Sequence, residues 1–176
     1  PEKNWYQQVV APANYLDWKE QVGAFEDAAA YNESIGSRTL TGEGAPQLLN
    51  GVTVTGNFFS VLRVPAEVGR TLRPEETWAS GTHVAVLSHR AWINRFGGDR
   101  GVIGRTVQLD GAPVEIVGVM PDGFAFPTAN LDVWVPFEWN QSDRSQIWFR
   151  RAHWPRAIAR LKPGVTLEQA DAGLQQ

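Results

Sequence analysis

The sequence predicts an α+β fold, because segments of helical and of strand periodicity are mixed along the chain without strict alternation. Three observations support this prediction: a helical pattern near the N-terminus, two hairpin signals, and a short strand followed directly by a helix. Of the 176 residues, 43% are hydrophobic, which is enough to bury the core of one domain or of two small lobes.

The first predicted element is a helix over residues 13–31, with Asn14 as its N-cap and Gly23 as its weakest point. Its apolar residues recur at helical spacing, and they are Leu16, Trp18, Val22, Phe25, Ala28 and Ala29. Acidic and basic residues lie between them, as expected for a helix with one buried face.

Two strands are predicted next, at residues 31–40 and 48–55. The stretch 41–46 between them is rich in glycine and other turn residues, which indicates a hairpin. A short helix at 57–62 follows this hairpin.

The middle of the chain has the clearest local signals. Residues 84–87 form a short apolar run, Ser88 can cap the helix that follows it, and Gly97 can end that helix. Asp110-Gly111 lies between the alternating runs 105–109 and 114–119, which is the strongest short hairpin signal. Another strand is predicted at 132–136.

The last third returns to a strand at 156–161, in which Arg156 and Arg160 are expected on the solvent face. Thr166 and Gln169 have the spacing of a capping box, so they predict the start of a final helix.

Composition excludes several classes of function. There is no cysteine, and 16 basic against 19 acidic residues give a net charge of −3. Disulfides, thiolate zinc sites and a cysteine nucleophile are therefore excluded, and no nucleic-acid partner is expected. The three histidines His83, His89 and His153 show no metal-ligand spacing, and the chain has neither a nucleophile elbow nor a phosphate-binding loop. We predict no catalytic, cofactor-binding or metal-binding residue.

A series of short phrases in fixed order is the most specific feature of the sequence. The phrases are 54–62 (VTGNFFSVL), 69–72 (GRTL), 84–88 (VAVLS), 95–98 (RFGG), 104–111 (GRTVQLDG), 117–121 (VGVMP), 124–127 (FAFP), 132–136 (DVWVP) and 159–166 (ARLKPGVT). From about Tyr15 to Gln176 the chain resembles the MacB-like periplasmic core domain of bacterial ABC transporter permeases, a group that includes FtsX-like proteins.

The resemblance implies a two-lobed arrangement. A porter-like α/β lobe would comprise residues 1–68 and 141–176, and a small α/β lobe built on a β-hairpin and a short helix would be inserted at 69–140. The family's flanking strands would lie outside this chain, so we expect the porter-like lobe to expose a sheet edge that favours strand-mediated contacts.

The resemblance also implies a non-catalytic domain at the periplasmic face of the bacterial inner membrane. It would couple movements of the permease's transmembrane helices, driven by an ABC ATPase, to a periplasmic partner or substrate in export or mechanotransmission. The expected partners are those helices, the ATPase and a periplasmic adaptor protein, in a permease that is dimeric in the membrane.

The partner-facing surface would lie on loops away from the termini, and its candidate residues are Trp78, Trp139 and Arg144. The eight tryptophans leave open an alternative class, a secreted carbohydrate-binding module or a glycosidase fragment. A row of exposed tryptophan rings, or two buried carboxylates facing a cleft, would favour that alternative.

Overall fold

The computed structural model describes residues 9–32, 34–42 and 44–174. Within them it has five α-helices: α1 (Pro12–Gln21), α2 (Phe58–Leu62), α3 (His89–Phe96), α4 (Ile147–Arg151) and α5 (Leu167–Leu174). The strands are β1 (Phe25–Asn32), β2 (Gly36–Thr41), β3 (Gln47–Val54), β4 (Val68–Gly69), β5 (Val84–Leu87), β6 (Thr106–Leu109), β7 (Ala112–Val119), β8 (Val133–Pro136) and β9 (Pro155–Leu161). The predicted α+β class is confirmed.

Six of the strands close into a mixed barrel. The path runs β2-β6-β7-β5-β8-β3 and returns to β2, with parallel pairing between β5 and β7 and between β3 and β8. Beyond the barrel, β1 pairs with β3, and β9 pairs with β1. The barrel, β1 and β9 therefore form one continuous sheet.

Local signals of the sequence are confirmed in the middle of the chain. The Ser88 hydroxyl accepts the Ala91 N–H at 3.1 Å, and Gly97 ends α3 with φ of 63°. Asp110-Gly111 connects β6 and β7. Thr166 and Gln169 exchange side-chain hydrogen bonds with each other's backbone N–H groups, which is the expected capping box at the start of α5.

The predicted helix over 13–31 is wrong in its second half. The helix begins at Pro12, has Ala11 rather than Asn14 as its N-cap, and ends at Gln21. Residues Phe25–Asn32 form a strand whose central alanines are at most 2% exposed. Ala28 and Ala30 are buried in one cluster and Ala29 in another, on the opposite face of the sheet. This tertiary environment outweighs the helical preference of alanine.

The segment 69–140 shares a buried core with strands that lie outside it. The buried cluster inside the barrel region includes Leu40 of β2 and Leu49 of β3, packed with residues from the later strands and with Trp92 and Phe96 of α3. Asp110 fastens the β6–β7 hairpin to β2, since its carboxylate accepts the Thr39 N–H at 2.7 Å and Arg38 Nη1 at 3.0 Å. The division into two lobes stays a prediction.

Strand β9 is the last strand on the path of the sheet. Its predicted solvent face is wrong for Arg160, because α2 lies over that face and Arg160 Nε donates to the Val61 carbonyl at 2.7 Å. On the other side of β9, Val9 forms a bridge with Arg156. The expected strand-mediated contacts between copies stay a prediction.

Candidate partner-contact surface

A cluster of aromatic rings joins the end of β8 to α1 and α4. Trp139 lies at its centre, with Phe137 stacked on it at 4.6 Å and nearly parallel. Trp139 also contacts the rings of Tyr15, Trp78, Phe149 and Trp154 in tilted or edge-to-face geometry. The rings of this cluster pack this way because each covers the face or edge of another, which buries Trp139 and Phe149 almost completely.

The structure brings together the three residues predicted for the partner interface. Trp78 and Trp139 form a β-bridge, and their ring centroids are 6.0 Å apart. The guanidinium carbon of Arg144 lies 5.5 Å from the centroid of the Trp78 ring, which is a cation–π distance. Arg144 Nη2 is also 3.6 Å from a carboxylate oxygen of Glu20 on α1.

These three residues differ in what they can contact. Trp139 is only 4% exposed, so it holds the surrounding rings in place and does not offer its own ring to a partner. Trp78 is half-buried, whereas the Arg144 side chain is 48% exposed. Their role as an interface stays a prediction.

Helix α4 presents the most exposed apolar side chain near this cluster. Ile147 is 75% exposed and its neighbour Trp148 is 40% exposed, while Phe149 is 1% exposed and packs into the aromatic cluster. Trp148 rests edge-to-face on Phe149, with centroids 5.3 Å apart. The helix is thus anchored by one ring and leaves two apolar side chains in solvent.

Three arginines, Arg144, Arg150 and Arg151, flank these two side chains in the sequence. Arg150 Nη1 lies 3.2 Å from a carboxylate oxygen of Asp17 on α1, and Arg150 remains 64% exposed. Arg151 is exposed and forms no ion pair with any residue that the structure describes. We call Arg144, Ile147, Trp148, Arg150 and Arg151 together the α4 face.

Sequence reasoning missed Ile147 and the helix that carries it. The polar residues 140–146 obscured a helix of only five residues. The signal that could have found it is an Ile-Trp pair directly before an Arg-Arg pair, with Phe149 between them as the single anchor. Trp5 lies outside the described residues.

The histidines are placed as ordinary surface groups. His83 Nδ1 lies 2.7 Å from Glu138, His89 Nδ1 lies 2.8 Å from Glu67, and His153 Nδ1 contacts the Arg151 carbonyl oxygen. Among the described residues, no group of three or more histidine, aspartate or glutamate side chains is placed to hold a metal ion.

The Tyr15 hydroxyl is the buried ionisable group nearest the aromatic cluster. It donates to the Ala28 carbonyl oxygen at 3.2 Å, and burial raises its pKa well above the usual value. The phenol therefore stays neutral and serves as a hydrogen-bond donor that ties α1 to β1.

Neither feature that would favour a carbohydrate-active protein is found in the described part of the chain. Among the described tryptophans only Trp148 has an exposed ring, so no row of exposed rings exists there. Two shallow grooves have volumes of about 240 and 270 Å³. Asp132 is the one carboxylate that lines either groove, so neither contains an opposed carboxylate pair.

The sequence and the fold both resemble those of periplasmic domains of ABC permeases. Residues 3–176 match the family model described as the MacB-like periplasmic core domain. No curated protein matches the sequence. No helix in the described ranges has the length and apolar character needed to cross a membrane.

Three solved structures share the fold. The periplasmic region of MacB from Actinobacillus actinomycetemcomitans superposes with a TM-score of 0.70 at 16% identity, covering 96% of this chain and 72% of that one. The extracellular domain of the noncanonical ABC-type transporter YknZ from Gram-positive bacteria has a TM-score of 0.65 at 17% identity, with 94% and 78% covered. A domain of a putative permease from Porphyromonas gingivalis has a TM-score of 0.66 at 20% identity, with 97% and 70% covered.

Proposed function

This chain belongs to the MacB-like periplasmic core domain family, and we propose that it works as a rigid element that couples transmembrane-helix movement to a partner outside the membrane. Membership identifies it as the periplasmic or extracellular domain of an ABC permease, from a family that is generally non-catalytic. The proposal concerns what such a domain does when the helices of the parent protein move.

The continuous sheet is the observation on which this proposal rests. Strand β1 pairs with β9 from Phe25 to Asn32, and on its other edge it pairs with β3 at Tyr31. Thr55 reinforces this junction, because its N–H donates to the Ala30 carbonyl at 2.8 Å and its hydroxyl accepts the Ala30 N–H at 3.0 Å. A displacement of β9 therefore moves the barrel with it, since packed elements shift as units and do not deform continuously.

The proposed partners follow from the family. They are the permease's own transmembrane helices, an ABC ATPase and a periplasmic adaptor protein, in a dimeric permease at the periplasmic face of the inner membrane. Trp78 and Arg144 would lie at the partner interface, and the buried ring of Trp139 would hold the Trp78 ring in place. The exposed guanidinium of Arg144 over the Trp78 ring supports this assignment.

The experiment uses the full-length transporter in lipid vesicles. Flexible glycine–serine linkers of about ten residues are inserted at both junctions between this domain and the transmembrane helices. A flexible linker of that length spans about 16–19 Å as a random coil, so helix movement would no longer reach the domain. We expect ATP hydrolysis to continue and partner-dependent transport to be lost.

The matched control carries the same linker within the exposed turn at Asp122 and Gly123, where a Cβ on Gly123 would meet nothing within 4 Å. That insertion leaves both junctions rigid, so transport should persist. Unchanged transport in the protein with flexible junctions would refute the coupling proposal.

A further inference from the structure

We propose that the α4 face binds an acidic segment of a partner polypeptide, with an apolar residue of that segment seated on Ile147 and Trp148. The inference rests on the proposed function only in taking the partner to be a protein that works with the permease. It adds the chemistry of that partner and the residues that recognise it.

The apolar part of the surface is preorganised. Ile147 and Trp148 are 75% and 40% exposed, and they lie on a helix that Phe149 anchors in the aromatic cluster. The ring of Trp148 is held against Phe149 with an interplanar angle of 71°. Because the Trp148 ring is already ordered, a partner that covers it loses little conformational entropy on binding.

The charged part of the surface selects carboxylates. Arg144 and Arg150 already lie within 3.6 and 3.2 Å of carboxylate oxygens on α1, yet their side chains remain 48% and 64% exposed. Arg151 forms no ion pair with a carboxylate of any described residue. Arginine binds carboxylates through a planar fork of donors, so the free donors of these three side chains fit acidic side chains spaced along a peptide.

A polypeptide fits this surface better than an anionic membrane does. Asp17 and Glu20 lie beside the arginines and are 41% and 64% exposed. A continuous sheet of lipid phosphates would be repelled by these two carboxylates, whereas a peptide can place its own carboxylates between them.

A second copy of this chain fits less well too. Asp17 and Glu20 form ion pairs with Arg150 and Arg144. Among the described residues, Arg151 therefore carries the one positive charge of the α4 face that has no ion-pair partner. A two-fold contact centred on Trp148 would bring the two copies of Arg151 close together, and like charges in contact disfavour binding.

The test is site-specific photo-crosslinking in the full-length transporter in cells. A benzophenone amino acid replaces Ile147, and the cross-linked segment is sequenced by mass spectrometry. We expect a polypeptide segment that carries at least about two Asp or Glu residues around an apolar residue. Arg151→Glu, which breaks no ion pair among the described residues, should lower the cross-linking yield by about tenfold, and an Asp/Glu→Lys change in the captured segment should restore it.

The matched control is Arg95→Glu, an exposed arginine on α3 outside the α4 face, which should leave the yield unchanged. Cross-links only to lipid, only to a second copy, or to nothing would overturn the proposal, as would a yield that is insensitive to Arg151→Glu. The outcome is separable from the linker experiment: loss of acidic-segment capture with coupling intact refutes only the docking surface, and the reverse refutes only the coupling role.

Discussion

Trp139 and Trp148 both contact the ring of Phe149, yet the structure assigns them different roles. Trp139 is 4% exposed and contacts the rings of Phe137, Trp78 and Phe149. Trp148 is 40% exposed. Substituting each by alanine therefore separates a residue that holds the fold from one that offers a contact.

For Trp139→Ala we expect a loss of about 4 kcal/mol in the free energy of unfolding. Removing a buried tryptophan costs about 3–5 kcal/mol, and the nearly parallel stack on Phe137 at 4.6 Å supports a value no lower than the middle of that range. For a domain of this size, that loss lowers the melting temperature by about 8–16 °C. Trp148→Ala should cost about 1 kcal/mol, because much of its ring is already in water.

The assay is urea unfolding of the two variants followed by circular dichroism, with a thermal melt as a second measurement. The slope of the free energy against urea should stay constant, so that the midpoints report stability alone. If Trp139→Ala were no more destabilising than Trp148→Ala, the assignment of Trp139 as the centre of the cluster would be refuted.

Three further predictions concern the barrel and its connections. In Gly118→Ala the new Cβ would lie 1.9 Å from the Arg70 carbonyl oxygen, so this variant should lose several kcal/mol or fail to fold, whereas Gly36→Ala, with nothing within 4 Å, should unfold near the wild-type midpoint. Burial alone would raise the Asp110 pKa, but the hydrogen bond from Thr39 N–H and the Arg38 guanidinium outweigh it and hold the pKa below its usual range. A pKa that is lower in the folded state contributes stability above the unfolded pKa, and this stability is lost as the pH falls through the folded pKa. Asp110→Asn should therefore cost up to about 1 kcal/mol of unfolding free energy at pH 7, a figure discounted for the 40% exposure of Asp110, and nothing in strong acid. Urea midpoints measured at both pH values test this, and equal losses at the two would contradict it. Ser88→Ala removes the cap of α3 and should cost about 1 kcal/mol in the same assay, more than Ser142→Ala, whose hydroxyl caps no helix.

Elements marked by short-range chemistry could be predicted from the sequence. Ser88 and Gly97 bound α3, and Asp110-Gly111 marks a hairpin, because these signals act within a few residues. Strand β1 could not be predicted, because its alanines favour a helix until β9 and β3 are in place. The barrel is closed by the pairing of β2 with β6, strands that are more than sixty residues apart in the sequence, and no local pattern specifies such a pairing.

The candidate surface was predicted only in part for a similar reason. Trp78, Trp139 and Arg144 lie close together in the structure, but the sequence does not show that Trp139 is buried beneath the other rings. Which of several nearby aromatic residues faces solvent depends on the packing of α1 against α4. Ile147 therefore emerged only from the three-dimensional arrangement.

Rigid movement of this domain within the working transporter is the central claim, and one distance measurement tests it most directly. Because the chain has no cysteine, Ser37→Cys and Ser142→Cys introduce two exposed attachment sites for spin labels, on β2 and beside α4. Pulsed electron paramagnetic resonance on the full-length transporter then compares the nucleotide-free and ATP-bound states. We predict that the distance between the two labels within one domain is unchanged, while the distance between Ser142→Cys labels in the two copies of the proposed dimer shifts. A change in the distance within one domain, or no change between the two copies, would contradict the account.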